Sequence, residues 1–172
     1  MTDQPRLVTD DGNGEVDHAA AHLAKGDRRP PDTIWRANPR EQGLIGFTDA
    51  IRFFGGLGWS VSVPLIDSQP YDLVVDDGTV LQRIQVKTTT YRGRSGTFVV
   101  QVCTHGGNQS FTTAKLFDPA AYDLLYVLTD AWDRYVIPSA AVQVTRSLTL
   151  GGRIEPYRVR EDGGLPPPFA GS

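Results

Sequence analysis

The segment YDLVV-DDGT-VLQRIQVKT, residues 71–88, constrains this chain more than any other. Two apolar, β-branched runs flank an Asp-Gly turn, which is the short-range signature of a β-hairpin. Pairing Val75 with Val80 across the turn sets Asp72 opposite Arg83. Side chains along a strand alternate faces, so Asp72, Arg83, Gln85 and Lys87 share one face while Leu73, Ile84 and Val86 point to the other. A carboxylate, an amide and a lysine thereby converge on two strands rich in Val and Ile. A sheet that needed only stability would rarely gather them there.

The surrounding sequence supplies the rest of one domain. Asn38-Pro39-Arg40-Glu41 has the form of a helix start, with Asn as cap, Pro at the first helical position and Glu three residues after the cap. Leu44, Ile45, Ala50, Ile51, Phe54 and Leu57 then recur at three- and four-residue intervals, giving one apolar face, and the glycines around Gly58 end the helix. Trp59, Val61 and Val63 alternate with serines as a half-buried strand. Further strands are expected at 97–103, 124–128 and 135–137, with a helical turn over 118–122. The expected fold is α/β and restriction-endonuclease-like: a central mixed sheet, mostly an antiparallel meander, flanked by helices. Residues 1–38 read as an acidic, loosely structured arm, 39–150 as the domain, and 151–172 as an extended Gly/Pro-rich tail.

At 172 residues the chain has room for one proper core. No run approaches the roughly 18 to 20 apolar residues of a membrane helix, and the acidic N-terminus lacks the features of a secretion signal, so the cytoplasm is the expected address. The net charge of −3 divides unevenly, with −4 in residues 1–20, −2 in 161–172 and +3 between them. A mildly basic body permits phosphate binding without arguing for it. The single cysteine, Cys103, rules out an internal disulfide and a cysteine-based zinc site, and its alternating FVVQVC context suits a buried hydrophobe.

The chemistry of the shared face suits phosphodiester hydrolysis. Asp72 is a hard-oxygen ligand for Mg²⁺, and the side-chain carbonyl of Gln85 can add a second oxygen. Lys87 can position a water or offset charge on the phosphorane oxygens.

These residues, with QGLIGFTDAIRFFGGLGWSVSVPL, DSQPYDLVVDDG, RIQVKTTTY and PAAYDLLYVLTDAWDRYVIP, resemble the PD-(D/E)XK nuclease superfamily. The resemblance spans about 100 residues and is nearest to the Q-x-K branch, which includes endonucleases associated with bacterial group I introns. It implies Asp72, Gln85 and Lys87 as the catalytic set, with Asp72 and Gln85 holding the metal. It further implies a homing-endonuclease-like cutter of double-stranded DNA that is homodimeric or homotetrameric, uses Mg²⁺ with Mn²⁺ as a substitute, and needs no organic cofactor. Many relatives carry an acid on the first helix four positions after a glycine. Counted from Gly43 that position is Phe47, with Glu41 and Asp49 as the nearby acids that could replace it. Two alternatives follow: a Holliday-junction-resolvase-like nuclease, and a catalytically inactive nucleic-acid-binding module that keeps the nuclease fold.

Outside the triad, Arg83, Arg92, Arg94 and Lys115 are the candidate nucleic-acid contacts, Arg92 and Arg94 because they follow the catalytic strand in a basic loop. His18 and His22 sit four apart as helical metal ligands can, but no third ligand completes a set. His105 reads as a loop histidine. Trp59, Tyr122, Tyr126, Trp132 and Tyr135 read as core or edge aromatics rather than stacking platforms.

Overall fold

The computed structural model describes residues 33–66, 68–103 and 116–166. The chain divides into two compact units, Met1–Thr33 and Ile34–Ser172. The first, with His18 and His22, lies outside the described residues apart from Thr33, as do His105 and Lys115.

Helix α1 spans Pro39–Gly56. Asn38 caps it as expected, its Oδ1 accepting from Arg40 N at 3.0 Å. Gly58, at φ +83°, takes the left-handed conformation that turns the chain out of the helix. Ala50 and Phe54 are fully buried. Leu44, expected on the same face, is exposed instead. The helix approaches the sheet at Gly46, where a Cβ would overlap Thr88 Cγ2.

Strands β1 (Ser60–Ser62), β2 (Leu73–Asp76), β3 (Leu81–Thr89), β5 (Leu124–Thr129) and β6 (Arg134–Pro138) form one sheet in the order β1-β2-β3-β5-β6. Three of its pairings are antiparallel, while β3 and β5 run parallel. The sheet is thus mixed, but it is not a simple meander. Strand β4 (Val99–Gln101) leaves it to pair with β7 (Ser147–Thr149) in a separate two-stranded ribbon. A parallel pair cannot be closed by a tight turn, so the chain between β3 and β5 must cross over, and β4 lies on that crossover. All six residues of β5 are buried, as befits a strand covered on both faces.

Each face has its own core. Ile34, Ala50 and Phe54 pack on Leu73, Val75, Ile84, Leu124, Tyr126, Leu128 and Val136. On the other face, Phe98, Val100, Val102, Leu148, Leu150 and Ile154 pack on Leu125, Val127, Tyr135 and Ile137. Among the described residues, that second face is covered by the β4–β7 ribbon and a 3-10 turn at Gly152–Tyr157 rather than by an α-helix.

Other expectations are corrected. The expected helical turn over 118–122 is a plain turn, closed by Ala121 N donating to Asp118 O. The first strand ends at Ser62, leaving Val63 exposed. Residues beyond Gly151, expected as an extended tail, bury Ile154, and Val159 N donates to Arg134 O. Ile154 and Tyr157 pack into one core and Val159 and Leu165 against the other, anchoring that segment despite its Gly- and Pro-rich composition.

The hairpin register also differs. Leu73 pairs with Ile84 and Asp76 with Leu81, two residues along from the expected alignment. Asp77 is the reason. Its carboxylate accepts from Thr79 N, Thr79 Oγ1 and Val80 N, and with Gly78 at φ +89° it closes a wider loop than a two-residue turn. A slip of two residues preserves which face each side chain takes. Asp72 consequently lies beside Gln85 rather than Arg83, yet still on the Gln85–Lys87 face.

Candidate active site

The nine residues of β3 outrun the four of β2. Past Ile84, one edge of β3 therefore has no partner strand among the described residues, and there Asp72 substitutes for one. Its Oδ2 accepts from Val86 N at 2.7 Å, taking a donor that a longer β2 would have used. The same oxygen accepts from Gln85 Nε2 at 2.6 Å. Gln85 therefore presents its amide nitrogen to Asp72, and Oε1 is the atom it can offer to a cation.

Gln85 and Lys87 pair in register with Leu125 and Val127, which places them on the sheet face that carries the β4–β7 ribbon. Asp72, Gln85 and Lys87 together line a cleft of about 700 Å³. Arg40, Gly43, Leu44 and Phe47 of α1 form one wall, and Phe117, Asp118 and Tyr122 form another. Burial pushes the Lys87 ammonium below the usual lysine range, opposed by the negative charge of Asp72 and by Cys103 nearby. Cys103 is buried, as expected.

A divalent cation would find hard oxygen donors at Asp72 and Gln85. Among the described residues, no group of three or more His, Cys, Asp or Glu is placed to hold a metal. Oxygen donors of this kind suit a hard divalent cation, which can keep several of its waters.

Neither acid near Phe47 completes the site. Glu41 is exposed and accepts from Asn38 Nδ2 at 3.2 Å, as a capping residue does. Asp49, expected either as a solvated helix residue or as a metal contact, is neither. It is buried, accepting from Tyr126 Oη at 2.7 Å and from Arg134 Nε and Nη2 at 2.8 Å each. Phe47 itself borders the cleft.

The candidate nucleic-acid contacts fare differently from the triad. Arg83 forms a two-pronged ion pair with Asp123, at 3.0 and 2.9 Å, and does not line the cleft. Arg92 lies over the Phe98 ring, 3.6 Å from its centroid, and donates to Gly96 O within its own loop. Arg94 is exposed.

Sequence reasoning missed Tyr122 and Asp118 as cleft residues. Tyr122 was placed correctly in the core, where it is 5% exposed. Its hydroxyl, however, has no hydrogen-bond partner among the described residues, a burial that costs about 1–3 kcal/mol. A tyrosine directly before Asp123 and an apolar strand gave no signal that it would line the cleft.

Comparison with known proteins agrees with the geometry. The structure of a bacterial homing endonuclease, I-Ssp6803I, superposes with a TM-score of 0.60 at 25% identity, over 67% of this chain and 85% of that one. No curated protein sequence matches. The family model described as PD-(D/E)XK endonuclease matches residues 38–163, which include α1, the hairpin and both walls of the cleft. The nucleases of this family generally use divalent metal ions. The chain belongs to the PD-(D/E)XK endonuclease family.

Proposed function

We propose that the chain is a Mg²⁺-dependent endonuclease that hydrolyses phosphodiester bonds in double-stranded DNA, with Asp72, Gln85 and Lys87 as its catalytic set. The observation that carries this reading is the convergence of these three side chains in one cleft, at a strand edge held open by the Asp72–Val86 bond. Asp72 and Gln85 would hold the cation, Mg²⁺ or in its place Mn²⁺. A cation bound there polarises the phosphate and acidifies a water. The Val86 and Gln85 N–H groups fix Asp72 in place, so its carboxylate needs no rearrangement when substrate arrives. Lys87, partly stripped of water, reaches into the same cleft, where it orients the attacking water or offsets charge developing on the phosphate. A homodimer or homotetramer acting in the cytoplasm, with a homing-endonuclease-like or resolvase-like preference, completes the proposal.

One observation favours a second reading. Phe47 occupies the helix position where the resemblance implies an acid in many relatives, and Glu41 and Asp49 are engaged elsewhere. A binding module that keeps the nuclease fold would bind DNA in a salt-dependent way and leave it uncut.

Incubating the protein with plasmid, genomic and four-way-junction DNA, with Mg²⁺, Mn²⁺ or chelator, separates the two. Metal-dependent cutting that disappears in Lys87→Ala is the expected result. Binding without cutting of any substrate would replace the nuclease by the binding module.

A further inference from the structure

Arg40 is the cation of the cleft that the reading above leaves without a task. It stands in the first turn of α1, where Asn38 Oδ1 holds its backbone N–H at 3.0 Å. Its side chain is exposed, and it lines the cleft together with Asp72, Gln85 and Lys87. Among the described residues its guanidinium forms no ion pair and no hydrogen bond. Its own helix supplies no acid either, because the positions three and four residues on, where such a partner would sit, hold Gly43 and Leu44. The arginines expected to meet nucleic acid are placed otherwise: Arg83 is paired with Asp123 off the cleft, and Arg92 lies on the Phe98 ring.

Gly43 is an independent sign that a ligand passes this wall. It lies on the same helix face as Arg40 and lines the cleft, yet a Cβ built on it would meet nothing within 4 Å. Packing therefore does not require glycine there, as it does at Gly46, and neither does the backbone, which is ordinary helix. Glycine inside a helix is unfavourable relative to alanine or leucine, so its bare backbone serves to keep the cleft wide. The charges indicate what would pass. On the lining, Arg40 and Lys87 match Asp72 and Asp118, so a divalent cation at Asp72 and Gln85 leaves the cleft positive and suited to a polyanion. We propose that Arg40 is a substrate-binding residue whose guanidinium grips the non-bridging oxygens of a DNA backbone phosphate passing Gly43. A planar fork of N–H donors matches two phosphate oxygens, and its charge displaces counterions from the strand. This role rests on the nuclease reading given above, and it concerns holding the DNA rather than breaking the bond.

Full-length Arg40→Ala, Arg40→Lys and Gly43→Leu are compared with the wild type in three measurements. These are binding of a labelled duplex in chelator over a salt series, single-turnover cleavage at saturating DNA with Mg²⁺, and melting temperature. Arg40→Ala is expected to raise Kd about tenfold and to reduce the slope of log affinity against log salt by about one, as loss of one phosphate contact does. Arg40→Lys is expected to keep the slope, and both variants to keep the cleavage rate at saturation and the melting temperature. Gly43→Leu is expected to weaken binding while its melting temperature stays level or rises, which a glycine needed by the fold would not allow. An Arg40→Ala protein with wild-type affinity and salt slope overturns the proposal, while loss of cutting in Lys87→Ala keeps the nuclease reading standing. A Gly43→Leu protein that binds as the wild type does also overturns it, since the phosphate then does not pass that residue. A wild type that neither binds nor cuts DNA removes the nuclease reading, and the role of Arg40 with it.

Discussion

Two aspartates, Asp49 on α1 and Asp72 ahead of β2, show how the same side chain is put to different ends. Asp49 is sealed between α1 and the sheet, with the Arg134 guanidinium on both its oxygens and the Tyr126 hydroxyl as a third donor. Burial alone would raise its pKa, but the bonds from Arg134 and Tyr126 outweigh it and hold the carboxyl below the usual range. Its charge is used up in joining α1 to β5 and β6. Asp72 lies at the edge of β3 and lines the cleft, its carboxylate accepting from Gln85 Nε2 and Val86 N. A carboxylate sealed in the core against an arginine has little to offer a metal or a phosphate, whereas one that lines a cleft stands where a ligand can enter.

The largest expected effect tests that contrast on rate. Asp72→Asn keeps an oxygen for Val86 N–H but removes the charge, so single-turnover cleavage should fall about 1,000-fold with little change in melting temperature. A variant that still cuts well would deny Asp72 its role. Asp49→Ala should do the reverse: removing one partner of a buried ion pair should cost about 3–5 kcal/mol of stability, read by denaturant unfolding. A cost below 1 kcal/mol would show that the pair is not a lock. Because the folded-state pKa of Asp49 is lowered, its contribution is present above the ordinary aspartate range and lost as pH falls below it. Acid unfolding of the wild type should therefore be steeper below about pH 4 than that of Asp49→Asn.

Gly46→Ala probes how the two regions are joined. The added methyl meets Thr88, a β-branched and therefore stiff side chain on the catalytic strand, so stability should fall by about 2 kcal/mol and cleavage with it. A loss of stability without loss of rate would show that the cleft tolerates movement of α1. The smallest expected effect is a gain. Phe47→Glu adds a further carboxylate to the cleft lining, and Mg²⁺ affinity measured by calorimetry should rise about tenfold, worth about 1.4 kcal/mol. An unchanged affinity would place residue 47 out of reach of the cation.

Much of this site was legible in the chain because strand alternation is robust. Asp72, Gln85 and Lys87 share a face by parity, and parity survived a register shift of two residues that put Asp72 beside Gln85 instead of Arg83. The cap at Asn38 and the extent of α1 were equally readable, since both depend on residues close in sequence. The Arg83–Asp123 ion pair was not legible because Asp123 stands 40 residues away, and no local pattern announces such a pair. Asp49 was misjudged for the same reason, with Arg134 separated from it by 85 residues.

Local rules of side-chain alternation, capping and turn chemistry thus determined from the sequence alone that a helix, a hairpin and a convergent Asp-Gln-Lys face would exist. The tertiary structure decided which partners those groups meet. It set β5 parallel to β3, covered the second face with the β4–β7 ribbon, locked Asp49 onto Arg134 and brought Tyr122 to the lining of the cleft. The physical reason is that alternation and capping act over a few residues, while burial and ion pairing depend on which distant segments share a layer.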